Sequence, residues 1–136
     1  MKKAILLLAA MAVALGLASG MALAATIVGT DRDETFLGTA YADTIRAKGG
    51  ADEVRRRGGP DQLYGNAGRD KIYGGFGKGD RLHGGFGNDR LISEDIFSQS
   101  GAFRDVVDCG PGDDSASVDF RDRVRANCEE VGVAIP

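Results

Sequence analysis

Histidine occurs once in these 136 residues and cysteine twice, and basic residues are outnumbered by acidic ones. Each scarcity removes a class of function. A lone histidine, His83, excludes a multi-histidine zinc centre. Cys109 and Cys128, once paired, leave no thiol for nucleophilic work, and no serine stands in a nucleophile-elbow context. A formal net charge of −3 argues against a nucleic-acid partner and is compatible with cations. Asp113 and Asp114 are adjacent acids, but nothing in the sequence builds a sugar cleft beside them. An enzyme is therefore not expected, and His83 reads as an outward-facing strand residue.

Long apolar runs are also missing, apart from one. Ala4 to Leu17 follows Lys2 and Lys3 and precedes Ala22-Leu23-Ala24. A positive start, a short apolar run and a small-residue cleavage site are the marks of a secretory signal peptide, here residues 1–24. The run falls short of the ~20 residues a membrane-spanning helix needs. No membrane span is expected after cleavage. The protein is expected to be secreted and extracellular, with retention in a periplasm or cell wall as the variant of that reading. Residues 25–136 then form one domain with 15 basic residues against 20 acidic ones.

What this domain does contain is glycine, 19 of the 21 in the chain. So much backbone freedom weakens a packed fold unless the glycines serve turns. They do so in phase. Glu34, Asp43, Asp52, Asp61, Asp70, Asp80 and Asp89 recur at nine-residue spacing, broken only by the extra Gly79. Two places after each acid stands an apolar residue: Phe36, Ile45, Val54, Leu63, Ile72, Leu82 and Leu91. A disordered glycine-rich linker keeps no such phase.

A nine-residue unit has room for a three-residue strand, whose middle side chain points to one face, and a six-residue turn. Tight turns require positive φ and close backbone approach, which together account for Gly74, Gly75 and Gly77, and again Gly84, Gly85 and Gly87. Strand and turn in alternation predict an all-β fold, a parallel β-roll or solenoid with two repeats per 18-residue coil. Phe36, Val54, Ile72 and Leu91 then line one inner sheet face, with Ile45, Leu63 and Leu82 opposite.

Gly84-Gly85-Phe86-Gly87-Asn88-Asp89-Arg90-Leu91-Ile92 resembles the RTX, or haemolysin-type calcium-binding, repeat GGxGxDxUx, in which U is apolar. Gly65 to Tyr73 differs only in Asn66, and Gly74 to His83 only in the inserted Gly79. Earlier units fade. Arg56 and Arg57 replace turn glycines, and Arg32 replaces the glycine before Glu34, so the first turn is expected to be a metal-free cap. The repeats span 29–92. Residues 93–104 read as an inserted loop, whose Ile96, Phe97 and Phe103 are candidates to fold back as a lid. Residues 105–136 read as degenerate repeats and a cap.

The resemblance implies calcium ions, several of them, held by the sixth-position acids Asp43, Asp52, Asp61, Asp70, Asp80 and Asp89. Turn carbonyls, among them those of Gly68, Gly75, Gly77, Gly85 and Gly87, complete the sphere. The chemistry agrees with it. Aspartates 18 residues apart bring like charges together on adjacent coils, and calcium accepts 6 to 8 oxygens in a flexible geometry, whereas magnesium demands a strict octahedron. The pair Asp70 and Asp89 is expected to be the best formed. Cys109 and Cys128 lie 19 residues apart, about one circuit, and are expected to form a disulfide that clamps the last coil.

The functional expectation is calcium binding with calcium-dependent folding outside the cell. The alternative is a structural or adhesive module that binds envelope polymer or a protein partner, with calcium only as a staple. Tyr64, Tyr73, Phe76, Phe86 and the 93–104 loop would be its contacts.

Overall fold

The structure is a computed structural model that describes residues 24–75, 79–94 and 103–134. Residues 1–23 of the expected signal peptide, Phe76, Gly77, Ile96 and Phe97 lie outside the described residues. Those described form a parallel β-solenoid of about five turns with no helix. Twelve strands alternate between two sheets. The first sheet contains β1 (Thr26–Val28), β3 (Thr44–Gly49), β5 (Gln62–Ala67), β7 (Arg81–Phe86), β9 (Val106–Asp108) and β11 (Arg123–Val124). The second contains β2 (Thr35–Leu37), β4 (Glu53–Arg55), β6 (Lys71–Tyr73), β8 (Arg90–Ile92), β10 (Ser115–Asp119) and β12 (Glu130–Ala134). Strands of one parity stack in sequence order, so every second repeat lies directly on the one before it.

Register follows the repeat. Ile45 stands opposite Leu63, Leu63 opposite Leu82 and Leu82 opposite Val107 in the first sheet. In the second, Phe36, Val54, Ile72, Leu91 and Ala116 form the matching row. These two inward rows are the core, and Ile45, Val54, Leu63, Ile72, Leu82, Leu91 and Val107 are wholly buried. Each such side chain contributes roughly 1.5–3 kcal/mol by leaving water, yet most strands supply only one, with β3 adding the small Ala47 and β10 adding Val118. The core is therefore thin, and the edges must hold the coils together as well.

The two edges differ. Strands β3, β5 and β7 are six residues long, while β4, β6 and β8 are three. The longer ladder runs past the apolar triplet into the following turn, pairing Lys48 with Asn66 and Asn66 with Gly85. Lys48 and Asn66 hold φ of 81° and 76°, a left-handed geometry that an L side chain adopts at a cost. Two residues on, only glycine fits. At Gly87 φ is 120°, and an added Cβ would lie 1.8 Å from the carbonyl oxygen of Gly68. The coils approach so closely there that the repeat's fourth position is fixed by sterics.

Insertions are absorbed without breaking the stack. Gly79, at φ 63°, takes up the extra residue before Asp80, and β7 stays in register with β5. The inserted loop shifts the offset so that Arg81 pairs with Val106 and Arg90 with Ser115. Cys109 and Cys128 form a disulfide, with their Cα atoms 5.2 Å apart.

Candidate metal centre

The turns from Glu34 to Asp114 end on buried acids, and the backbone dictates what one oxygen of each aspartate does. The amide of Asp52 donates to Asp70 Oδ1 at 2.9 Å, that of Asp70 to Asp89 Oδ1 at 2.8 Å, and that of Asp89 to Asp114 Oδ1 at 2.7 Å. On the opposite edge the amides of Asp43, Asp61 and Asp80 donate in the same way to Asp61, Asp80 and Asp105. Acids of adjacent coils therefore form two columns. Edge I comprises Glu34, Asp52, Asp70, Asp89 and Asp114; edge II comprises Asp43, Asp61, Asp80 and Asp105. Glu129 closes the first column by accepting from the Asp114 amide, and Asp122 closes the second by accepting from Asp105.

With Oδ1 committed, the second oxygen decides the chemistry. On edge I, Oδ2 of Asp52, Asp70, Asp89 and Asp114 is buried without a hydrogen-bond partner. Leaving such an acceptor unmade costs about 1–3 kcal/mol, and more when it is charged. Burial pushes Asp52 and Asp89 up to about 7 from an ordinary 3.8, opposed by the backbone amide each accepts and assisted by repulsion from neighbouring acids. Asp70 and Asp114 are raised for the same leading reason, desolvation.

A cradle lies beside two of these oxygens. A Cβ added at Gly65 would stand 2.3 Å from Asp70 Oδ2 and 2.6 Å from the Gly84 carbonyl oxygen. One added at Gly84 would stand 2.6 Å from Asp89 Oδ2 and 2.3 Å from the Cys109 carbonyl. Carboxylate and carbonyl oxygens of successive coils thus converge where the repeat's first glycine leaves space. At Asp52 that first position is Ala47, fully buried, so a methyl fills the equivalent cradle. Among the described residues no three Asp, Glu, His or Cys side chains converge on one point. A cation on edge I would take its acids singly and its remaining ligands from the backbone, which suits a hard ion that accepts carbonyls. The donor set fits calcium.

Glu34, Asp43, Asp61 and Asp80 meet partners supplied by the chain itself. Thr39 donates its amide to Asp43 Oδ2 at 2.5 Å and its hydroxyl to the same carboxylate at 2.9 and 3.0 Å. The Thr30 amide donates to Glu34 Oε2 at 2.6 Å. In both turns the acid's own side chain caps a backbone amide, and at Asp43 the Thr39 hydroxyl adds to it. Asp61 and Asp80 face the fully buried guanidinium of Arg56, whose Nε is 2.9 Å from Asp80 Oδ2 and whose Nη1 is 3.7 Å from Asp61 Oδ2. Burial raises Asp61 to about 6, with the Asp43 amide and Arg56 pulling the other way.

Of the glycines expected to offer carbonyls, Gly68 and Gly87 stack along edge I, where the Gly87 carbonyl lies against Gly112. The Gly85 carbonyl lies against Gly110. Gly75 lies beside Arg56, its added Cβ 3.8 Å from Nε. The carbonyls that face the orphaned carboxylate oxygens, those of Gly84 and Cys109, belong to the repeat's first position, and spacing alone does not single them out. Asp114 stands in the degenerate repeats that resume after the inserted loop, with Cys109 in the place of the first glycine, but it is not among the acids expected to hold an ion.

Outside the edges, His83 stacks on Tyr64 with ring centroids 4.8 Å apart, and its Nδ1 lies 3.7 Å from Asp108 Oδ2. Burial lowers its pKa, with Asp108 opposing. Tyr64 and Tyr73 carry the guanidinium groups of Arg46 and Arg55 over their rings.

A family model described as the RTX calcium-binding nonapeptide repeat, in four copies, matches residues 28–59, 57–79 and 75–95. No curated protein matches the chain. RTX repeats bind calcium and build a structural fold that is not typically catalytic.

Proposed function

The chain belongs to the RTX calcium-binding nonapeptide repeat family, and from that premise we propose that it is an exported protein whose β-roll folds on calcium bound along edge I. One observation carries this reading: four buried carboxylate oxygens in a single column, on Asp52, Asp70, Asp89 and Asp114, have no hydrogen-bond partner. Asp70 with the Gly84 carbonyl, and Asp89 with the Cys109 carbonyl, are the ligand groups of the two best-formed sites, because glycine at positions 65 and 84 keeps their cradles open. A bound divalent cation supplies the positive charge that lets these acids ionise in a buried place.

The thin core makes this more than decoration. Without a counter-ion, each added coil brings another buried carboxylate toward its neighbours, and the desolvation opposes the gain from the few inward aliphatic residues of its strands. Calcium affinity is then folding free energy, with dissociation constants on the order of 10⁻⁴ to 10⁻³ M, as for extracellular modules. The apolar run after Lys2 and Lys3 and the small-residue site at Ala22-Leu23-Ala24 support export by cleavage of residues 1–24.

Far-ultraviolet circular dichroism during a calcium titration of the chain from Ala25 tests the proposal. A transition to β-structure is expected below ~10 mM calcium. A spectrum that stays the same from chelator to that concentration overturns it. The mass of the protein recovered from the medium or periplasm tests export, with Ala25 as the expected first residue.

A further inference from the structure

Arg56 is a positive charge where the repeat ordinarily has glycine. It stands first in the turn that ends on Asp61, the place held by Gly38, Gly65 and Gly84 in other turns. Its side chain is wholly buried, as are those of Asp61 and Asp80. We propose that the Arg56 guanidinium is the resident counter-ion of the Asp61/Asp80 pair, so that this coil interface is held by a cation of the chain and takes no calcium.

Three observations converge on this. The guanidinium bridges two coils as an ion pair, with Nε 2.9 Å from Asp80 Oδ2 and Nη1 3.7 Å from Asp61 Oδ2, the same second carboxylate oxygens that are buried on edge I. Nη1 also donates to the Gly59 carbonyl at 3.1 Å, which engages a turn carbonyl that an ion would otherwise recruit. Finally, the guanidinium is planar, retains its charge at any relevant pH and is more weakly hydrated than an ammonium, so it tolerates burial between carboxylates. A divalent cation brought to the same oxygens would meet a fixed positive charge at contact distance, which disfavours it.

Edge II is thereby independent of the ion near its middle, where Arg56 serves Asp61 and Asp80, and at Asp43, which Thr39 caps. At these three acids the coils do not depend on calcium, and its control lies across from them on edge I. In the coils that carry Asp61 with Asp70 and Asp80 with Asp89, one edge is preset by the sequence while the other waits for metal. This partition rests on the calcium reading for edge I, but the role of Arg56 does not.

Two measurements on the chain from Ala25 test it separately. Native mass spectrometry counts calcium ions per chain in the wild type, Asp80→Asn and Arg56→Gly. The expected result is an unchanged count for Asp80→Asn and about one more ion for Arg56→Gly, where the glycine is restored. Loss of an ion in Asp80→Asn, or no gain in a folded Arg56→Gly, overturns the proposal. Urea midpoints at one fixed calcium concentration are then compared for wild type, Arg56→Met, Asp80→Asn and the double variant. A double variant less destabilised than the two single losses combined is expected, because Arg56→Met alone strands a buried carboxylate. Additive losses overturn the proposal. A wild-type count of zero sinks the calcium reading of edge I, and the urea comparison then decides Arg56 on its own.

Discussion

The amide of Asp70 donates to Oδ1 of Asp89 across 2.8 Å, and this bond determines which oxygen of Asp89 remains for anything else. A backbone donor one coil away fixes the carboxylate's rotation, leaving Oδ2 inside the stack beside the Cys109 carbonyl. Every ligand group proposed for edge I is positioned in this way by the ladder. Side-chain aim is therefore a consequence of register, and register follows from the period.

Substituting Asp89 should consequently act on the ion and not only on the turn. Asp89→Asn retains an oxygen able to accept from the Asp70 amide but removes the charge. The calcium concentration at half-folding is expected to rise by about tenfold or more, as for loss of one charged ligand interaction of ~1.4 kcal/mol. Glu34→Ala, at a carboxylate already capped by Thr30, should move it by about twofold or less. Circular dichroism during calcium titration compares the two. Equal shifts would show that the edge I column does not rank the sites.

A steric prediction isolates the cradle. In Gly65→Ala the new methyl would stand 2.3 Å from Asp70 Oδ2 and 2.6 Å from a backbone oxygen, so the carboxylate must move. Overpacking of this kind costs roughly 1–3 kcal/mol, and the loss should appear in urea unfolding at saturating calcium. Gly132→Ala is the control. Its nearest neighbours are 3.9 and 4.0 Å away, and a change within about 0.5 kcal/mol is expected.

Much of this arrangement is legible in the sequence, and the limit lies in particular residues. The nine-residue phase of acid and apolar residue places Phe36, Val54, Ile72 and Leu91 in one row and Ile45, Leu63 and Leu82 in the other, because parallel pairing carries any periodic pattern into columns. Phase says nothing of what neutralises a column. In the sequence Arg56 is a lost turn glycine, since spacing does not reveal that a long side chain can reach the acid of the next coil. Thr30 and Thr39 follow the opening glycines of their turns, and spacing does not reveal that their amides engage Glu34 and Asp43. Asp105, Asp114 and Asp122 resume the pattern after the insertion and extend the columns in the fold, whereas Glu129, which closes one of them, stands outside the period.

The pH response in metal-depleted buffer should run opposite to that of most proteins. Burial raises Asp52 and Asp89 to about 7 in the fold, from 3.8 as their ordinary value. Between those values the folded state binds more protons than the unfolded one, so stability falls as pH rises from about 4 through about 7. Acidifying the metal-free chain from about pH 8 to about pH 5 is expected to increase its β-structure by circular dichroism. With calcium the sign reverses, since the ion binds the ionised acids: the calcium concentration at half-folding should climb as pH drops below about 7. A metal-free chain that loses structure on acidification would contradict this account of the orphaned oxygens.

The disulfide should influence the ion at a distance of one turn. Cys109 is the first residue of the turn that ends on Asp114, and its carbonyl oxygen is the one that faces the Gly84 cradle beside Asp89 Oδ2. Its link to Cys128 holds that turn against the end of the coil. Closing a loop of this size stabilises by roughly 3 kcal/mol in the chain-entropy account. Cys109→Ser with Cys128→Ser should therefore loosen the last coil first, where few strands lie beyond to hold it. Calcium binding is then expected to weaken at Asp89 while the site at Asp70, whose carbonyl partner is Gly84 one coil inward, changes little. Calorimetric titration of the two forms reads this as loss of affinity in one class of site with the other retained. A uniform loss would instead mean that the coils bind and fold as a single cooperative unit, with the disulfide acting on all of them through overall stability.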